Sequence, residues 1–189
     1  MNHPAATDTQ ETKDAIQEAA RAGGKYMVVT PDGEESYWQP QPANGHASVH
    51  VAPHLVPMDV KFSAGTQTLP PGGVVRKHSH DANEEVLHFI SGSGKAILDG
   101  EEYRLGAGTT LFLGKLRTHT FINDGDTDLH WAWFFVPSGL ETFFRDIGRT
   151  RQPGEPTPEP FDRPENVAEI EARTVFTTGA GKQRLRRVR

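Results

Sequence analysis

The chain has 189 residues, 35% of them hydrophobic, which is enough for one compact core with extensions at its ends. It contains no cysteine, so disulfides, zinc ribbons, iron–sulfur clusters and cysteine nucleophiles are excluded and any metal must be held by His, Asp or Glu. The formal net charge of −5 gives no reason to expect a nucleic-acid partner, and no apolar stretch is long enough to span a bilayer.

Residues 1–45 read as an N-terminal arm. Asp8 to Ala22 is polar and alanine-rich, with Ala15, Ile16, Ala19 and Ala20 at helical spacing, and Gly23 and Gly24 end it. No secretory pattern precedes it, so a cytoplasmic protein is expected. GKYMVVTPDGEESYW then sets a β-branched and aromatic run, a TPDG turn and a second short run, the pattern of a hairpin. Residues 46–137 alternate short strand-like runs with Gly, Asp, Asn or Pro. With 19 glycines and 14 prolines in the chain, this predicts an all-β barrel or two-sheet jelly roll. Residues 138–175 change pattern. SGLETFFRDIG offers Ser138 as an N-cap and Leu140, Phe143, Phe144 and Ile147 on one face, predicting a helix packed back on the barrel. A proline-rich stretch follows, and ENVAEIEARTVF suits a second short helix. Residues 176–189 end in the basic run KQRLRRVR, which reads as a disordered tail.

One stretch of the barrel carries the chemistry. In GGVVRKHSHDANEEVLHFISGSG, Gly72 is followed after five residues by His78, after one by His80, after four by Glu85 and after six by Gly92. Residues two apart on a strand share a face, so His78 and His80 present their rings to one space, and Glu85 opens the next strand where its carboxylate can meet them. Glu84 is the rival carboxylate; Glu85 has the six-residue distance to Gly92. A second segment, RLGAGTTLFLGKLRTHTFINDGD, supplies Gly108, His119 and Asn123.

Together the two segments resemble the paired signature motifs of the cupin superfamily, over about residues 55 to 137. The first fits in full. The second has Gly114 where a proline is usual and Leu116 where a glycine is usual, a departure that bears on the turn and not on the ligand. The resemblance implies a cupin jelly-roll β-barrel of single-domain (monocupin) type, all-β, with the N-terminal arm and short C-terminal helices added. It also implies a metal bound inside by His78, His80, Glu85 and His119. Three neutral imidazoles and one carboxylate suit one divalent transition metal, with Fe, Ni, Co or Mn favoured over Zn, and usually leave two coordination positions open. Without a cation, four such groups facing a barrel interior would be costly.

Around this set the residues leave alternatives open. Arg76, two residues before His78, shares its face by strand parity and would clamp a substrate carboxylate or enolate, or else pair at the rim, for instance with Glu84. Leu87, Phe89 and Phe121 share a face with the ligands and make an apolar wall, and Phe112 suits that wall or ordinary core equally. In DLHWAWFFVP either His130, Ala132 and Phe134 or Trp131, Trp133 and Phe135 line the interior. An inward aromatic set would either shape a pocket or pack under the C-terminal helix. His88 falls out of phase with Glu85, and His46, His50 and His54 read as surface or core.

The layout, including GLETFFRDIGRTRQPGEP beyond the barrel, is similar to quercetin dioxygenase-like single-domain cupins. That implies a dioxygenase acting on a small aromatic or enol/keto substrate, with Glu85 and Arg76 as catalytic residues. The same metal set would serve a non-redox isomerase, dehydratase or lyase, and a small-molecule-binding cupin without catalysis is the remaining alternative. A small-molecule substrate and a homodimer are expected, with neither nucleic acid nor membrane as partner.

Overall fold

A computed structural model describes residues 23–31 and 33–174; the expected N-terminal helix and basic C-terminal tail lie outside them. Among the described residues the chain runs through β1 (Glu35–Trp38), β2 (His46–Val51), β3 (Ser63–Leu69), β4 (Val74–His78), β5 (Glu84–Ser91) and β6 (Ser93–Leu98). It continues through β7 (Glu101–Gly106), β8 (Thr110–Leu113), β9 (His119–Ile122), β10 (Leu129–Val136), α1 (Leu140–Ile147), β11 (Arg149–Thr150) and α2 (Val167–Arg173). Seven strands form one antiparallel sheet in the order β11-β1-β2-β3-β10-β5-β8, and four form a second in the order β4-β9-β6-β7. This is the predicted all-β jelly roll, and no helix among the described residues is long and apolar enough to cross a membrane.

Strict alternation of burial along β3, β5 and β10 turns one face of each strand inward. On β10 the inward set is Trp131, Trp133 and Phe135, which resolves the phase that the sequence leaves open. Trp131 lies 5.5 Å from Phe89 on its own sheet and 5.9 Å from Phe121 on the other, so rings from both layers meet in one core. Trp133 packs 5.6 Å from Phe144, under the C-terminal helix. The outward set is polar at one end, where His130 Nδ1 shares a hydrogen bond of 2.9 Å with Thr68 Oγ1. Phe112 is not core: it stands on the outer face of β8, 65% exposed, because its neighbours in sequence, Leu111 and Leu113, take the inner and edge positions.

The expected N-terminal hairpin does not form. Gly33 N–H closes a turn on Thr30 O at 2.9 Å, but the preceding run is not a strand, and β1 pairs instead with β2 and β11. The reason is burial: Ser36 to Trp38 fit against the large sheet, whereas Tyr26 and Val28 stay 92% and 81% exposed and would contribute little as a hairpin partner. Helix α1 also starts one residue later than the Ser138 cap predicts. Its N-cap is Gly139, whose φ of 145° a side chain would resist, and Glu141 accepts the Gly139 N–H at 2.8 Å. The apolar face is as the spacing predicts, with Leu140, Phe143, Phe144 and Ile147 all buried. Helix α2 lies beside α1, holding Ile170 in the core.

Two residues of the second motif hold the loops that flank the site. Asn123 is fully buried; its Nδ2 donates to Leu69 O at 2.7 Å and Thr127 O at 2.9 Å, and its Oδ1 accepts from Gly125 N at 3.0 Å. Leu116 keeps a left-handed φ of 65°, the conformation a glycine would take without strain, and its N–H donates to His80 O at 2.7 Å. The turn therefore survives the loss of glycine at a local cost.

Two stability outcomes follow from these contacts. Asn123→Ala should lower stability by about 2–4 kcal/mol in urea unfolding, because it strands buried backbone groups. Leu116→Gly should raise it by about 1 kcal/mol, since relief of the left-handed strain exceeds the added chain entropy and the side chain, 66% exposed, gives up little packing.

Candidate metal centre

Three strands converge to build the site. His78 ends β4 and His119 begins β9, and the antiparallel register sets these two directly opposite each other, with ring centroids 3.9 Å apart. His80 follows two residues after His78, its ring 5.1 Å from His78 and 5.3 Å from His119. Among the described residues, these three buried histidines form a group whose ligand atoms all lie within 4.8 Å of one another, and could hold a metal ion.

Glu85 enters from the other sheet. On β5 it sits between Phe135 of β10 and Leu113 of β8, so its carboxylate is buried among apolar neighbours. Its Oε2 lies 3.6 Å from His80 Nε2 and 3.7 Å from His119 Nε2, too long for hydrogen bonds and suited to ligands facing a common ion. Glu84, one residue earlier, is exposed.

The donor chemistry fits a divalent metal. His78 Nδ1–H donates to Arg76 O at 2.7 Å and His119 Nδ1–H to Arg117 O at 3.0 Å, which fixes the tautomer and aims each Nε2 lone pair into the site. His119 Nε2 is buried and makes no hydrogen bond, an arrangement a cation would satisfy. Burial, first, and the neighbouring histidines hold His78 neutral well below the usual imidazole range. Burial likewise lowers His119, partly offset by the Glu85 carboxylate.

Above the ligands opens a cavity that reaches the surface. Its floor is His78, His80 and Glu85; Leu87 and Phe121 wall one side and Phe143 and Phe144 of α1 another. Phe89, expected in this wall, is instead interior core, its ring tilted against Trp131. His88 faces out and bonds Thr110 Oγ1 at 2.8 Å. His50 and His54 pair with Glu34 and Glu35, while His46 packs edge-on against Trp38.

Arg76 departs from the parity argument. Between Val75, opposite Phe121, and His78, opposite His119, β4 carries one more residue than β9, so a bulge breaks the two-residue alternation. Arg76 consequently reaches the rim of the cavity, where it pairs with Glu171 of α2 and not with Glu84. Arg163, which also lines the cavity and pairs with Glu171, is missed by sequence reasoning, as is Glu171 itself. Their chain positions, 85 and more residues after His78 and past a proline-rich stretch, carry no periodic signal that links them to the site.

A two-layered antiparallel barrel of this kind, with three buried histidines that could hold a metal ion, is a jelly roll. Residues 65–135 match the model of the cupin domain family, which supports placing the barrel in the cupin superfamily. The chain is 32% identical over 63 residues to the oxalate-binding protein of Thermotoga maritima, covering 33% of this chain and 52% of that protein. It is 29% identical over 70 residues to an uncharacterized protein of Methanocaldococcus jannaschii, covering 37% of this chain and 56% of that one. The chain thus spans about half the length of these curated relatives. Among solved structures, the polyketide cyclase RemF from Streptomyces resistomycificus superposes with a TM-score of 0.52 at 15% identity, covering 60% of this chain and 80% of that one, a likeness of fold.

The buried neutral histidines have a consequence for acid stability. In the unfolded chain they take up protons near pH 6.5, whereas folding holds His78 and His119 neutral below that. The unfolded state therefore binds more protons as pH falls, and the metal-free protein should lose thermal stability progressively below about pH 6.5. Melting scans from pH 7.5 to 4.5 should show this decline, and His119→Gln should make it shallower.

Proposed function

We propose that this protein is a metal-dependent enzyme of the dioxygenase type, acting on a small aromatic or enol/keto substrate. The observation that carries this reading is the gathering of His78, His80 and His119 within ligand distance of one another, beside an apolar-walled cavity that His78, His80 and Glu85 line. A divalent transition metal held there by the three histidines and Glu85 would act as a Lewis acid toward substrate oxygens and, if iron, nickel, cobalt or manganese, give access to dioxygen.

The protein's own residues supply the rest. Leu87, Phe121, Phe143 and Phe144 would hold the substrate's apolar body and exclude water from the reacting end. Glu85, buried beside Phe135, would take the proton released when an enol or phenol docks, its carboxylate giving up its place among the metal ligands to do so. The backbone carbonyls of Arg76 and Arg117 would keep His78 and His119 oriented throughout.

The donor set itself favours a second reading. Three imidazoles and a carboxylate suit zinc as well as redox metals, and with zinc the same residues would serve an isomerase, dehydratase or lyase. The name of the Thermotoga relative, an oxalate-binding protein, supports a small oxygen-rich ligand under either reading.

Metal analysis of protein purified without a metal column, followed by oxygen-electrode assays on flavonols, catechols, β-diketones and keto-enols, tests the proposal. A redox metal near one equivalent, with oxygen uptake on a panel member, is the expected result. Metal without uptake would shift the assignment to the Lewis-acid class, and no metal after reconstitution would sink both. His119→Ala should lose most of the metal. Glu85→Gln should stay folded and lose turnover by about 100-fold or more.

A further inference from the structure

The floor of the cavity employs its imidazoles and carboxylate, but its mouth holds two charges that this chemistry leaves without a task. Arg76 of β4 and Arg163, ahead of α2, both line the cavity. Both guanidiniums donate through Nη2 to the same oxygen, Oε1 of Glu171 on α2, at 2.8 Å in the case of Arg163. The side chains of Arg163 and Glu171 are only 17% and 11% exposed, and that of Arg76 is 38% exposed. Two cations on one anion leave an excess positive charge at the mouth.

The geometry is also incomplete as an ion pair. Each guanidinium is a planar fork of donors, best matched by a carboxylate that accepts along two parallel bonds, and here both forks share one oxygen. A free carboxylate between them could give each arginine an oxygen of its own. Helix α2, which carries Glu171, is lightly held. It has seven residues and one fully buried side chain, Ile170, and its Arg173–Asp146 pair at 3.0 Å is at the surface, where ion pairs contribute little.

We propose that Arg76 and Arg163 form a carboxylate-recognition site at the cavity mouth and that Glu171 is an intramolecular stand-in for the ligand. An organic acid with an apolar body displaces Glu171, takes the two arginines with its carboxylate and loosens α2. The inference rests on the reading of the cavity as a substrate site, but not on which metal the histidines hold. It makes the ligand an acid in preference to its neutral counterpart, and Arg163 a specificity-determining residue.

The test uses benzoate and its neutral twin benzamide, titrated calorimetrically into the full-length protein with and without zinc, alongside Glu171→Gln and Arg163→Gln. Removing the internal competitor should tighten benzoate binding by about tenfold in Glu171→Gln, while Arg163→Gln should weaken it by a similar factor. Benzamide should be indifferent to both changes. In the wild-type protein, benzoate should speed hydrogen exchange of the amides of residues 167–173. A purely structural triad would instead lower the melting temperature of Glu171→Gln without tightening benzoate, and that result, or undetectable benzoate binding by Glu171→Gln, overturns the proposal. Should Glu171→Gln fold poorly, Arg163→Lys replaces it as the deciding variant: it keeps the charge but not the fork, and should lose benzoate affinity while benzamide is unchanged. Metal content measured on the same samples separates the two readings, since absence of metal with benzoate discrimination intact would sink the metalloenzyme and leave the acid site standing.

Discussion

Everything at the centre of this barrel depends on burying imidazoles and a carboxylate together in an apolar interior. Desolvation of such groups costs several kcal/mol each unless a cation or hydrogen bonds compensate. The protein meets part of that demand with its backbone. The carbonyls of Arg76 and Arg117 take the Nδ1 protons of His78 and His119, and the antiparallel register sets those two rings face to edge across β4 and β9. What is left is a ring of inward lone pairs and one carboxylate, whose natural complement is a divalent ion.

The surrounding structure keeps that arrangement from relaxing. Rings of Phe89, Phe121 and Trp131 lock the two sheets together below the ligands, and Phe135 meets His80 edge-on at 4.8 Å. Gly92, with φ of 82°, turns the chain out of β5 where an added Cβ would lie 2.2 Å from the carbonyl oxygen of Asp128, so the spacing from Glu85 to that glycine is set by a close backbone approach. Asn123 and the Leu116 turn secure the loops on the other side. Three of the four candidate ligands, His78, Glu85 and His119, thus stand on strands, and His80 lies just past the end of β4, as suits a preorganised site.

The cavity above them is built differently. Strands carry most of its floor, whereas its far wall comes from α1 and its mouth from Arg76 of β4, the segment 39–43 and Arg163 of the proline-rich stretch. Phe161 anchors that stretch, its carbonyl accepting from Gln41 N at 2.9 Å and its ring lying under Arg149 at 4.0 Å. The candidate ligands and the far wall of the cavity are therefore supplied by separate parts of the chain.

Much of this was legible in the sequence because it rests on local periodicity. Two-residue alternation and fixed spacing are enough to put His78 with His80 and to make Glu85, not Glu84, the inward carboxylate; helical spacing is enough to predict the buried face of α1. Tertiary structure alone decided what depends on distant partners. The phase of β10 follows from which face meets the second sheet. The hairpin gives way because β1 buries more against β2 and β11 than against the exposed run before it. A single bulge in β4, invisible to a parity argument, re-aims Arg76 toward the rim, and only folding brings Arg163 and Glu171 back across the chain to meet it. Local sequence specifies which way a side chain points along a regular strand, but charge pairing across the mouth is fixed by packing between segments that the sequence holds far apart.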